Sequence, residues 1–195
     1  IPLTRHADFK GLKLYVLNNT DHLFLFTRNN PTKTIVLDPA AVDAGDFGGV
    51  PELAQGSWLL VLQDQAPWTE RQGFDYKVYR NDLLLVRDGR AQNSPIFPYT
   101  TPETRMKCTY CPADSDTTVV ANLTLIRDKR STFRTYMAYC AHVHNLLMHN
   151  LAVHTPKSKL VGDTVISLRN CSHVIVRNMH VDGTYSKSGT GSGSG

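Results

Sequence analysis

The sequence predicts an all-β chain built as a parallel β-solenoid, and three observations carry that prediction. Asn122, Asn150 and Asn178 recur at a constant spacing of 28 residues. Apolar residues keep step with them, as Leu123 and Leu125, Leu151 and Val153, then Met179 and Val181. No stretch longer than about ten residues carries the apolar spacing of an amphipathic helix. Self-similarity at a fixed period of this size is the mark of a unit that stacks on copies of itself.

The amino-terminal half holds runs of strand length: "LKLYVL", "LFLF", "TIVL", "WLLVLQD" and "DLLLVRD". Their separators, such as "NNTDH", "RNNPTK" and "DGRAQNSP", are turn material. Residues 39–57 are rich in Gly and Ala and read as a long connection. Residues 64–81, "DQAPWTERQGFDYKVYRN", read as an excursion carrying aromatics. No clean period runs through this half, so residues 1–116 are expected to form irregular coils.

The carboxy-terminal half is regular. Thr118-Val119-Val120, Leu146-Leu147-Met148 and Val174-Ile175-Val176 each precede one of the three asparagines at the same distance. A further run, "TYMAYC", falls in register with "DTVISL". Each 28-residue coil over 117–186 is therefore expected to carry three short strands and three bends. Alternation of apolar and variable positions gives one buried and one exposed face. On that register Leu151 and Val153 face inward and His154 outward. Asparagine suits the bend because it tolerates the left-handed conformation, and its amide can bond to the asparagine above and below it. The expectation is a ladder with the Asn150 side chain inside the stack. Residues 1–186 then form one domain, and the glycine- and serine-rich residues 187–195 a flexible tail.

"VANLTLIR", "HNLAVHT" and "RNMHVDGT", each preceded by a short apolar strand, resemble coils of the right-handed parallel β-helix, pectin-lyase-like superfamily. The resemblance covers residues 117–185, and "ADFKGLKLYVLNN" is similar in style to early coils of such proteins. It implies a right-handed helix and a carbohydrate-active, secreted or cell-surface protein. It also implies that ligands lie over the strand following the long loop. That strand is "TYMAYC" and "DTVISL", and the loops are residues 127–134 and 155–162. These loops bring Arg127, Lys129, Arg130 and Arg134, then Lys157 and Lys159, into a basic strip suited to an acidic polysaccharide. Asp163 is nearly alone on this face. That departs from the paired carboxylates of hydrolases and the acidic clusters of calcium-dependent lyases. A metal-free lyase would draw on Arg134, Tyr139, Lys157, Asp163 or Arg169, and no spacing singles out one of them. The alternative is a non-catalytic solenoid, such as an adhesin or a phage receptor-binding part.

Histidines add a second set of candidates. On the 28-residue register His154 stands beside Asp182, with His180 two residues earlier, as an acid/base or ligand pair or as a stacked pair on a solvated sheet. His142, His144 and His173 fall around the preceding bend. Cys108 and Cys111 form a C-x-x-C pair, but Cys140 and Cys171 stand alone, so the second ligand pair of a zinc site is missing. No metal and no cofactor is expected.

Composition bounds the rest. Apolar residues make up 41% and charged residues 19%, as in an ordinary globular chain. A net charge of +4 fits an anionic partner, but no interleaving of aromatic and basic residues suggests nucleic acid. No apolar run nears the roughly 18 residues needed to span a bilayer. The last repeat passes into "KSGTGSGSG" without a capping element, so self-association through an open end is expected.

Overall fold

The computed structural model describes residues 6–16, 22–27, 33–70, 77–102, 104, 106–113, 115–127, 136–155 and 165–183. The chain begins with β1 (His6–Val16) and β2 (His22–Thr27). It continues through β3 (Lys33–Ile35), the short helix α1 (Pro39–Ala44), β4 (Ser57–Glu70), β5 (Lys77–Arg87), β6 (Arg90–Ala91) and β7 (Met106–Pro112). It ends with β8 (Thr118–Arg127), β9 (Tyr136–Ala141), β10 (His144–Thr155), β11 (Ile166–Arg169) and β12 (Ser172–Gly183). Two compact units result. One joins Ile1–Arg28 to Asp116–Gly195, and the other is Asn29–Ser115.

In the first unit two parallel sheets form, in the orders β1-β8-β10-β12 and β11-β9-β2. Leu123, Leu151 and Met179 are partners across β8, β10 and β12, as are Leu125, Val153 and Val181. Ile166 pairs with Ala138 and Leu168 with Cys140, again 28 residues apart. The expected register is the observed one wherever both partners are described. β1 joins β8 in parallel, with Leu12 opposite Leu123 and Leu14 opposite Leu125.

The core of this unit shows why one asparagine per repeat matters. In β10, Leu146 and Met148 are buried before Asn150, and Leu151 and Val153 after it. Inward positions thus lie two and four residues before the asparagine but one and three after it. Strict alternation cannot do this, since period 2 would turn one of the two halves outward. A single left-handed residue resets the phase, and Asn122, Asn150 and Asn178 sit at φ of 59°, 54° and 51°. The reset occurs within one continuous strand, so two of the three expected short strands merge into a single bent one of 10 to 12 residues. A second recurring bend links the sheets, with His142 and Asn170 at one position and Asn145 and His173 at the next, all at positive φ.

The ladder is present, but not inside the stack. Asn178 donates from Nδ2 to Asn150 Oδ1 at 3.1 Å, and Asn150 donates to Asn122 Oδ1 at 2.9 Å. Asn122 in turn donates to Asp8 Oδ1 at 2.9 Å. Asn150 itself is exposed. The phase reset explains the difference: the residue that turns the strand faces neither alternation and stays at the surface.

The larger correction concerns residues 1–116. β1 and β2 do join the parallel sheets, but residues 33–113 do not continue one right-handed β-helix as irregular coils. Residues 33–113 contain an antiparallel five-stranded sheet in the order β3-β7-β4-β5-β6, separate from the two parallel sheets. Strand-length apolar runs announce strands, but not their direction. β4 and β5 pair antiparallel from Ser57↔Arg87 to Glu70↔Lys77, so "WLLVLQD" and "DLLLVRD" are partners in a hairpin rather than successive coils. β5 turns into β6 through Asp88 and Gly89, both at positive φ, the two-residue turn that fits the twist of antiparallel strands. A Cβ at Gly89 would lie 2.9 Å from the Gly48 Cα, so glycine is required there by space as well as by φ. Residues 39–57 carry α1, whose N-cap Asp38 accepts from the Ala40 N–H at 2.9 Å and whose C-cap is Gly45 at φ 64°. Leu60, Leu62, Leu84 and Val86 bury one sheet face with Val42, Phe47 and Tyr99, while Leu59, Leu85 and Cys111 are buried on the other. The glycine- and serine-rich tail lies outside the described residues.

Candidate functional site

The outward face of the four-stranded parallel sheet gathers chemistry that no single segment carries. Two rows cross it after the asparagine. The first runs Lys13, Thr124, Ala152, His180, from β1 through β8 and β10 to β12. The second runs Tyr15, Ile126, His154, with Asp182 as the β12 partner. Lys13, Tyr15 and His180 are exposed. The centre of the first row is small, Thr124 and Ala152, between a long cation at one end and an imidazole at the other. Strands in a sheet lie about 4.8 Å apart, so this row is roughly three strand spacings long. The rings of His154 and His180 stand 5.9 Å apart in a tilted arrangement. Before the asparagine, His149 pairs with Arg177, which adds another exposed cation.

The edge of this face is tied by Asp8. Its carboxylate accepts from the Asn122 amide and from the Lys10 backbone N–H at 2.8 Å. Those two hydrogen bonds, Asn122 first, hold Asp8 below the usual carboxylate range, with His6 and Lys10 adding to the effect. Asp8 therefore closes the ladder as an ionised carboxylate, a negative charge at this edge of the face.

Around the second bend lies a histidine cluster. His144 is buried, its Nδ1 lies 2.6 Å from Ser172 Oγ, and its ring meets His173 edge-on at 4.7 Å. Burial, with the Arg169 charge adding, pulls His142 below the ordinary histidine value, and its buried Nδ1 has no hydrogen-bond partner among the described residues. Cys171 directs its thiol to the carbonyls of Arg169 at 3.3 Å and Cys140 at 3.4 Å. Within this cluster His144 is buried, His142 and Cys171 are half-buried and His173 is exposed.

Of the residues singled out by sequence, the structure brings together His154 with His180 and His144 with His173, and Asp182 is placed beside His154 by backbone register. Tyr139 is half-buried in β9 opposite Ser167, and exposed Arg169 ends β11. Both belong to the other parallel sheet, away from the His154 rows. Arg127 ends β8, but its side chain, like that of Asp182, lies outside the described residues. Lys129, Arg130, Arg134, Lys157, Lys159 and Asp163 lie outside them altogether. Sequence reasoning passed over Lys13, Tyr15, His149 and Arg177. His149 and Arg177 could have been found from the 28-residue register. Lys13 and Tyr15 could not, because their neighbours in β8 come after the whole second unit.

Cys108 and Cys111 both lie on β7, and an odd spacing on a strand sends side chains to opposite faces. Cys108 packs with Leu60 and Leu84, while Cys111 packs with Leu59 and Leu85. One ion cannot be held by both thiols. Among the described residues no group of three metal-ligating side chains converges.

The second unit has a cleft of about 320 Å³ bordered by Asp64, Arg80, Phe97, Thr101 and Thr104. Its guanidinium is already in use. Arg80 donates to Asp82 at 3.1 Å, to the Pro98 carbonyl at 2.7 Å and to the Phe97 carbonyl, and it stacks 3.6 Å over the Tyr99 ring. Tyr99 donates its hydroxyl to Asp82 at 2.9 Å. Burial, then the Asp82 carboxylate, pushes that phenol far above its ordinary value. Arg80 is a staple for the segment around residues 97–100, with its donors turned inward.

No protein-family model matches the chain, and no curated protein matches it. No helix is long and apolar enough to cross a membrane, among the described residues.

Proposed function

We propose that the protein binds an acidic polysaccharide across the outward face of the sheet β1-β8-β10-β12, outside the cell or at its surface. The observation that carries this reading is the pair of cross-strand rows with Lys13 and His180 at the ends of one, and Tyr15 and His154 in the other. Cations spaced along a flat face attract a polyanion over a distance set by salt. Small Thr124 and Ala152 leave room for a sugar ring between them. An exposed Tyr15 offers an aromatic surface on which the apolar face of a sugar can rest. Binding rather than cleavage is proposed, since Tyr139 and Arg169, the described candidates for catalysis, belong to the other sheet.

The test is calorimetric titration with oligogalacturonate, a neutral oligosaccharide of equal length serving as control. The wild-type protein binds the acidic oligomer only, and the affinity falls with added salt. Lys13→Glu with Arg177→Glu weakens binding at least tenfold and flattens the salt dependence. Unchanged affinity in that double variant sinks the reading. Release of unsaturated uronate products, followed by absorbance, would replace binding with lyase activity.

A further inference from the structure

We propose that His154, His180 and Asp182 form a site for a divalent transition-metal ion of the zinc type on the outward face of β10 and β12. Backbone register places the three together. His154 on β10 is the cross-strand partner of Asp182 on β12. His180 lies two residues before Asp182, and positions i and i+2 of a strand share a face. Two ligands therefore come from one strand and the third from its neighbour, at the corners of a small triangle. The imidazoles of His154 and His180 have ring centroids 5.9 Å apart. Two imidazoles sharing one ion, each bound through a nitrogen about 2 Å from it, hold their ring centres about 5–6 Å apart. The observed spacing thus admits an ion between the rings.

Donor type and surroundings fit the same chemistry. Imidazole suits zinc, copper, nickel and iron, and two imidazoles with one carboxylate form a set that leaves further coordination positions open. The register neighbours on the inner side are uncharged, with Ile126 the β8 partner of His154 and Ala152 the β10 partner of His180. Lys13, the cation of the His180 row, stands three strands away. That is about 14 Å, beyond the roughly 8 Å over which exposed charges act at physiological salt. Arg177 lies on the other side of the Asn178 bend. The histidines of the second bend offer less. His144 is buried with its Nδ1 against Ser172, and its β12 partner is that serine rather than a carboxylate. The sequence expectation of no metal rested on cysteine spacing, and this site uses no cysteine. The site stands whether or not the same face also holds a glycan.

The test is calorimetric titration of the full chain, first stripped with a chelator, with zinc chloride. One ion per chain should bind with a micromolar Kd, while magnesium, which prefers oxygen ligands, should not bind. His154→Ala with His180→Ala should abolish zinc binding, and Asp182→Asn should weaken it at least tenfold. His173→Asn, which keeps a residue tolerant of the left-handed bend, should bind zinc as wild type does. Neither His154 nor His180 is buried, so the double alanine variant should keep the wild-type circular dichroism. Absence of zinc binding, binding that survives the double alanine variant, or an unchanged affinity in Asp182→Asn overturns the proposal. Loss of binding in His173→Asn would move the ion to the second bend and overturn it as well.

Discussion

Replacing Asn150 separates the two jobs that the structure gives this residue. It donates to Asn122 at 2.9 Å and accepts from Asn178 at 3.1 Å, and it holds φ at 54°. Because the side chain is exposed, water can take over its partners when it is removed. The two hydrogen bonds therefore contribute at the low end of the usual range, about 1 kcal/mol together. Placing a Cβ-bearing residue without asparagine's local bonding in the left-handed region costs about 1 kcal/mol more. Asn150→Ala should lose about 2 kcal/mol, and Asn150→Gly, which frees φ but also lacks the amide, about 1 kcal/mol. Asn150→Asp keeps tolerance of the left-handed region but cannot donate to Asn122, so it should also destabilise. With a urea slope of about 2 kcal/mol per molar, the alanine variant shifts the midpoint by about 1 M. Urea titration followed by far-ultraviolet circular dichroism reads it. Equal midpoints for wild type, Gly and Ala would refute both the phase reset and the ladder.

Met148 is fully buried between the parallel sheets, so Met148→Ala should cost about 2–5 kcal/mol, read as a lower midpoint in the same titration. Asp43 is pulled up by burial, but the Thr100 hydroxyl and the amide N–H groups of Tyr99 and Thr100 together outweigh that and leave it below its ordinary 3.8. A carboxyl lowered on folding adds stability that is complete above its unfolded value and disappears as pH falls through the folded one. Thermal melts of wild type should therefore drop faster below pH 4 than those of Asp43→Asn. Burial pushes the Cys108 thiol up to about 11 and the Cys140 thiol up to about 12. With a disulfide reagent at pH 8, both should stay unreacted until the protein unfolds, while half-buried Cys171 reacts first.

What the sequence disclosed followed from physical repetition. Asn122, Asn150 and Asn178 occupy one backbone state, and the apolar residues at fixed distances from them fill one core, so the register could be read without a structure. The depth of the asparagines could not, because a residue that turns a strand belongs to neither of its faces. The second unit stayed hidden for another reason. "WLLVLQD" and "DLLLVRD" are buried on both faces, and a continuous apolar run says nothing about which way its neighbour runs. Asp88-Gly89 was the available signal, a two-residue turn that commits its flanking strands to antiparallel pairing. The proposed binding face was half legible. His154 and His180 follow from the 28-residue register, but Lys13 and Tyr15 reach it only because β1 pairs with a strand more than a hundred residues later.

The central claim, that the outward rows of the four-stranded sheet hold an acidic glycan, is tested most directly by locating the ligand. A titration of the ¹⁵N-labelled protein with oligogalacturonate, followed by amide chemical shifts, does so residue by residue. The largest shifts should fall at Lys13, Tyr15, Thr124, Ala152, His154 and His180, with the second unit unmoved. Shifts concentrated instead around Arg80 and Phe97, or along Tyr139 and Arg169, would contradict it.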